Sequence, residues 1–151
     1  MKAISILPVL LVCGAIAGCA SSTQSAMPSP TTTDYFKTDG GGFINHGKDL
    51  RYALNFNLRK PVNGSAPWFA EVQFENPADP SGPMIQFNEY RADEKAISIT
   101  SSEVRDMKNH RTYKVTVKAY SDLGRLNLIA THDMYVRLDV PDQLAPSFGI
   151  K

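Results

Sequence analysis

Beyond position 19 this chain of 151 residues has no cysteine; both thiols, Cys13 and Cys19, stand near the N-terminus. The remainder has no disulfide or zinc thiolate site to draw on, so its stability has to come from burial. A body of about 115 residues can manage this, because domains of that size bury roughly two-thirds of their unfolded surface. Surplus charge is missing too: 16 basic residues face 15 acidic ones, and since residues 1–18 hold Lys2 and no acid, 15 of each remain. Nucleic acid and anionic surfaces are bound through an excess of Lys and Arg that displaces counterions, so no nucleic-acid partner is expected. Apolar runs of the roughly 20 residues needed by a spanning helix are absent. The longest, Ile4 to Ile16, is broken by Ser5, Pro8 and Gly14. Helical periodicity is lacking as well, since no window of a dozen residues carries an apolar stripe at 3.6-residue spacing.

That short apolar run has the length of a signal-peptide core, and Met1-Lys2 supplies the positive start that precedes one. Ile16-Ala17-Gly18-Cys19 closes it. The succession resembles the leader and lipobox of bacterial lipoproteins, over about the first 20 residues. The resemblance implies that residues 1–18 are a signal peptide cut before Cys19. Aliphatic Ile16 and the small pair Ala17 and Gly18 let an extended segment enter the peptidase. The Cys19 thiol takes diacylglycerol, and the new N-terminus takes a further acyl chain. One chain at about 0.8 kcal/mol per buried methylene holds a protein only marginally, whereas several anchor it stably. In enterobacterial lipoproteins an Asp after the lipid cysteine favours the inner membrane, and Ala20 stands there instead. The implied address is the periplasmic face of the outer membrane, with the inner membrane and the cell surface open under other lineages' rules.

Ser21 to Thr33 is small, polar and Pro-containing. It reads, with Cys19 and Ala20, as a flexible linker over residues 19–33, holding a domain on the order of 20 Å from the bilayer. Residues 34–151 form that domain, and from Tyr35 onward the periodicity is two. Leu50, Tyr52, Leu54, Phe56 and Leu58 alternate with polar residues, as do Trp68, Ala70, Val72 and Phe74, and again Tyr113, Val115, Val117 and Ala119. Each pattern is that of a strand with one buried face. Met84 to Glu89 and Ala96 to Thr100 are shorter candidates. Leu126 to Val140 is an apolar-even run too long for one strand, so a bend or bulge is expected near Thr131-His132-Asp133, or two strands. Turn residues separate these segments at Pro61 to Gly64, Asn76 to Pro83 and Asp122 to Gly124, while Ser102 to Asn109 has room for one helical turn at most. Six to eight strands with regular breaks predict an all-β chain folded as a single antiparallel β-sandwich.

Val104 to Tyr120, followed by Gly124, resembles the corner and penultimate strand of fibronectin type III and other immunoglobulin-like domains. There a corner Tyr precedes alternating valines, and its hydroxyl ties back to upstream backbone. The resemblance implies that Tyr113 is the corner residue and Trp68 the core tryptophan of an early strand. The cysteine pair of immunoglobulins is absent.

Chemistry is harder to find. None of the three histidines stands in metal or catalytic spacing. His132 is in phase with the core-facing set, which predicts burial with one hydrogen bond, and Asp133 points to the other face. His110 falls in a polar turn. Gly40-Gly41-Gly42 before His46 lacks the Gly-Lys-Ser/Thr helix start of a phosphate loop and reads as a flexible turn or bulge. No Gly-x-Ser-x-Gly elbow occurs, and carboxylates are scattered singly apart from Asp93-Glu94. No catalytic set, metal site or cofactor is therefore expected. The tail Pro141 to Lys151 carries Leu144, Phe148 and Ile150 among prolines, either to cover the sandwich or to dock on a partner. The expected function is that of a membrane-anchored periplasmic accessory or assembly module that binds another envelope protein and is no enzyme. A lipoprotein component of a secretion machine would be a subgroup of this. The alternatives are a small-ligand or glycan binder using Trp68, Tyr90 and Tyr120, and a weak hydrolase.

Overall fold

A computed structural model describes residues 26–31, 33–46 and 49–150. The leader, the lipobox Ile16, Ala17 and Gly18, and Cys19 lie outside the described residues. Seven strands follow one another: β1 (Phe36–His46), β2 (Asp49–Leu58), β3 (Trp68–Phe74), β4 (Met84–Tyr90), β5 (Ala96–Thr100), β6 (Thr112–Tyr120) and β7 (Leu128–Arg137). They make two sheets of strand order β1-β2-β5 and β4-β3-β6-β7, with every neighbouring pair antiparallel. The chain is thus a single all-β sandwich, as the alternation predicts. Its core is the in-phase set: Tyr52, Leu54 and Phe56 from one sheet face Trp68, Val72, Phe74, Tyr113, Val115 and Val117 from the other. Trp68 stacks on Tyr90 at 4.7 Å and Tyr52 on Phe74 at 5.3 Å.

The loop before β6 is pinned by Tyr113. Its hydroxyl accepts from the Lys108 amide at 2.6 Å and donates to the Lys108 carbonyl at 3.2 Å. Tyr113→Phe removes two part-buried hydrogen bonds to the Lys108 backbone. It should cost about 1–2 kcal/mol, the net worth of two such bonds where the freed backbone groups can turn to water. Urea midpoints of the two proteins measure this, and equal midpoints would show the corner to be dispensable.

Two sequence expectations about strands need correction. Gly40 to Gly42 is no flexible turn but the middle of β1, although a bulge does occur beside it, where Asp39 is the extra residue between Thr38 and Gly40. At Gly41 a Cβ would meet Leu54 Cδ2 and Val136 Cγ2 at 3.1 Å each, so the glycine lets β1 lie close against both sheets. The break expected near Thr131-His132-Asp133 is also displaced. Strand β7 runs straight through those residues, and the extra one is Ile129, between Ala130 opposite Ala119 and Leu128 opposite Tyr120.

The segments on either side of the strands fasten to the sandwich. The linker is tied down from Thr31, whose amide donates to the Asp133 carbonyl at 3.0 Å and whose hydroxyl accepts from the Asp133 amide at 3.2 Å. At the other end a 3-10 turn, Ala145–Phe148, closes with Gly149 in the left-handed region at φ 68°. Ile150 and Ala145 are buried and Phe148 packs against the core. The Asn109 side chain clamps the tail, donating to the Val140 carbonyl at 2.7 Å and accepting from the Val140 amide at 3.0 Å. Of the three tail residues proposed for docking, Leu144 alone remains exposed; Phe148 and Ile150 are taken by the domain's own apolar interior.

Candidate interaction face

The outer face of the four-stranded sheet is set by register. Across it run the rows Glu89, Phe69, Tyr120 and Leu128, then Phe87, Glu71, Lys118 and Thr131, then Ile85, Gln73, Thr116 and Asp133. Strand β4 is reversed in polarity. Gln86 and Asn88 pair with core-facing Val72 and Ala70 and so turn inward, while Ile85 and Phe87 turn outward and are 51% and 55% exposed. Apolar residues on the wet side of an edge strand run against the usual pattern, in which such edges are guarded by Lys, Pro or bulges. Here β4 carries one charge, Glu89, and no Lys or Pro.

Alternation also orients its backbone. Just past β3 the Glu75 amide reaches Lys114 of β6. Odd residues of β3 therefore bond to β6 and even ones to β4. On β4 that leaves the N–H and C=O groups of Ile85, Phe87 and Glu89 pointing away from β3, toward the open edge.

Beside this edge the bulge at Ile129 takes effect. Straight alternation from Met134, His132 and Ala130 would send Leu128 inward; one extra residue turns it out, as a register slip must. Leu126 is 86% and Leu123 77% exposed on the β6–β7 hairpin, which Asp122 shapes by accepting from the Leu126 and Asn127 amides. Between hairpin and edge lies a cleft of about 350 Å³ lined by Phe69, Phe87, Glu89, Tyr120, Leu123 and Arg125.

A buried carboxylate forms part of this face. Glu71 is 6% exposed, and it accepts from Arg125 Nη1 at 2.9 Å, Gln73 Nε2 at 2.5 Å and Lys118 Nζ at 3.4 Å. Burial alone would raise its pKa; the hydrogen bonds from Gln73 and Arg125, with the Lys118 charge, outweigh it and hold the carboxyl below its ordinary value. Arg125 is thereby held with its guanidinium over the Phe87 ring at 4.5 Å. A second and more polar cleft, about 550 Å³, lies between the loop Asn76 to Pro83 and Arg111, Lys114 and Thr116. Its cations are already engaged, Arg111 by Glu75 and Lys114 by Asp133.

The residues singled out from sequence are distributed differently. Trp68 and Tyr90 are stacked inside the sandwich and Tyr120 is 8% exposed, so the aromatic residues offered for a glycan site present no open face. His110 joins Asp139 and Asp142 through its two ring nitrogens, and these carboxylates raise its pKa. With both ring nitrogens engaged by carboxylates of the tail, it helps to fasten that segment. Among the described residues no group of three or more His, Cys, Asp or Glu is arranged to hold a metal ion, and no helix is long and apolar enough to cross a membrane. Sequence reasoning missed Phe87, Leu123, Arg125 and Glu71. Ile85 and Phe87 did signal an alternating strand, but not which face would be wet.

The chain matches no known family, and no curated protein is recognisably similar to it.

Proposed function

We propose that this chain is a lipid-anchored envelope protein whose immunoglobulin-like sandwich binds another envelope protein through the β4 edge and the adjoining hairpin. The lipobox Ile16-Ala17-Gly18-Cys19 supports the anchor, and a location on the periplasmic face of the outer membrane follows from Ala20. Support for the immunoglobulin-like label comes from Trp68 at the start of the third strand and from the corner hydrogen bonds of Tyr113.

The observation that carries the binding role is the reversed polarity of β4. Ile85 and Phe87 project outward from the same residues whose backbone groups lack a neighbouring strand, which is the combination strand addition uses. Main-chain hydrogen bonds would give affinity, and the cleft beside Phe87 would select a side chain of the incoming strand. The neutral surroundings, with Glu71 and Glu89 balanced by Arg125 and Lys118, favour an apolar rather than a charged segment.

A photo-crosslinking residue at Phe87 should capture a discrete partner in intact envelopes, while the same residue at exposed Ser98 on the other sheet should not. With the probe moved to exposed Leu123 on the same cleft, Phe87→Asp should weaken capture by about 30-fold, the effect of losing a central aromatic anchor worth roughly 2 kcal/mol. The thermal midpoint should stay close to wild type, because Phe87 is largely outside the core. Equal capture from Phe87 and Ser98 would refute the assignment of this face.

A further inference from the structure

His132 is 1% exposed, and its position ties together three pieces of chain. On β7 it faces Val117 of β6 across the ladder. Its Nε2 lies 2.8 Å from Thr38 Oγ1 on β1, and its ring stacks on Phe36 at 5.5 Å. The neighbouring Asp133 backbone holds Thr31 through both of its polar groups. His132 Nδ1 is buried without a hydrogen-bond partner among the described residues.

We infer that His132 is a proton-sensitive latch: neutral, it seals the segment from Thr31 to Thr38 onto β7, and protonated, it releases that segment. One hydrogen bond to Thr38 satisfies one nitrogen of a neutral imidazole. The imidazolium has two donors and a full charge, and its surroundings offer Phe36, Val117, the Thr38 hydroxyl and the Thr31 backbone, with no carboxylate bonded to the ring. Charged groups on the packed elements are directed elsewhere. Asp133 of β7 is on the outer face with Lys114 and Thr116, Asp39 of β1 meets Lys37 and Asn57, and Lys118 of β6 reaches Glu71. Burial accordingly lowers the pKa of His132, with only partial compensation from the Thr31 backbone and the Asp133 carboxylate.

The direction of the response follows from linkage. In the open form the ring meets water and has an ordinary histidine pKa, about 6.5. Below that value the open form takes up a proton that the closed form refuses, so closure is fully stable above about pH 7 and weakens as pH falls. Release peels residues 31 to 38 away together with the first three pairs of β1 against β2, and adds on the order of 25 Å of contour to the linker at about 3.3 Å per residue. It also bares the β7 edge at Asp133.

Amide exchange on the full mature chain in detergent, followed over residues 26–38 and over β6, tests this between pH 7.5 and pH 5. After correction for intrinsic rates, the opening constant of the 26–38 segment should rise by up to about tenfold per pH unit below pH 6.5. The β6 amides at Val115 and Val117 should keep far higher protection throughout. His132→Gln, a neutral side chain able to bond Thr38, should abolish the slope. If that variant does not fold, Thr38→Val should raise opening at pH 7.5 while keeping the slope. A flat profile in the wild type, an unchanged slope in His132→Gln, or opening of residues 26–38 only together with β6 would overturn the latch.

Discussion

Cys19→Ser is expected to empty the outer-membrane pool of this protein. A serine hydroxyl is too weak a nucleophile at neutral pH to take the thiolate's place in forming the lipid bond, and without acyl chains the mature N-terminus Cys19 to Thr33 has nothing apolar enough to hold a bilayer. Fractionation of host envelopes with mass spectrometry of the detergent extract measures it: wild type should carry acyl mass on residue 19, and the variant none. The sandwich itself should be unaffected, since among the described residues its first bonds to the linker are those of Thr31, far along the chain from Cys19. Unchanged fractionation, or an unmodified residue 19 in the wild type, would remove the anchor and with it the envelope address.

Trp68→Ala should produce the largest loss of stability. The indole is 0% exposed, stacks on Tyr90 and lies 6.2 Å from Phe36, so truncation opens a cavity where both sheets meet. Such substitutions cost about 3–5 kcal/mol, against a total stability of roughly 5–15 kcal/mol for a domain. No cysteine lies in the domain to compensate through a cross-link. Urea unfolding should show the midpoint falling steeply with little change in slope, and Trp68→Phe should recover part of the loss. A deficit below 1 kcal/mol would mean that the two sheets are held together elsewhere.

Much of this architecture was legible because alternation reports burial directly. Strands β2, β3 and β6 each show a run of core residues in phase, and β5 has the bounds read from Ala96 to Thr100. The phase of His132 likewise predicted a buried ring with one hydrogen bond. Strand β1 stayed hidden because three glycines contribute no side chain to a pattern, and the reason for Gly41 is contact with Leu54 and Val136, distant in sequence. The interaction face was illegible for a related reason. Whether Ile85 and Phe87 point in or out depends on their pairing with β3, and Leu128 depends on a bulge whose location only the register reveals. Glu71 looked like any polar residue on a wet face, since its partner Arg125 lies 54 positions away.

Ile129 gives that last point a wider consequence. The outward turn of Leu128 depends on a residue count rather than on side-chain chemistry. Deleting Ile129 would remove the extra residue itself and leave Leu128 opposite Tyr120, still facing out. What a lineage would lose with that codon is the bend and added twist that a bulge puts into a strand, while the leucine stays on the wet face.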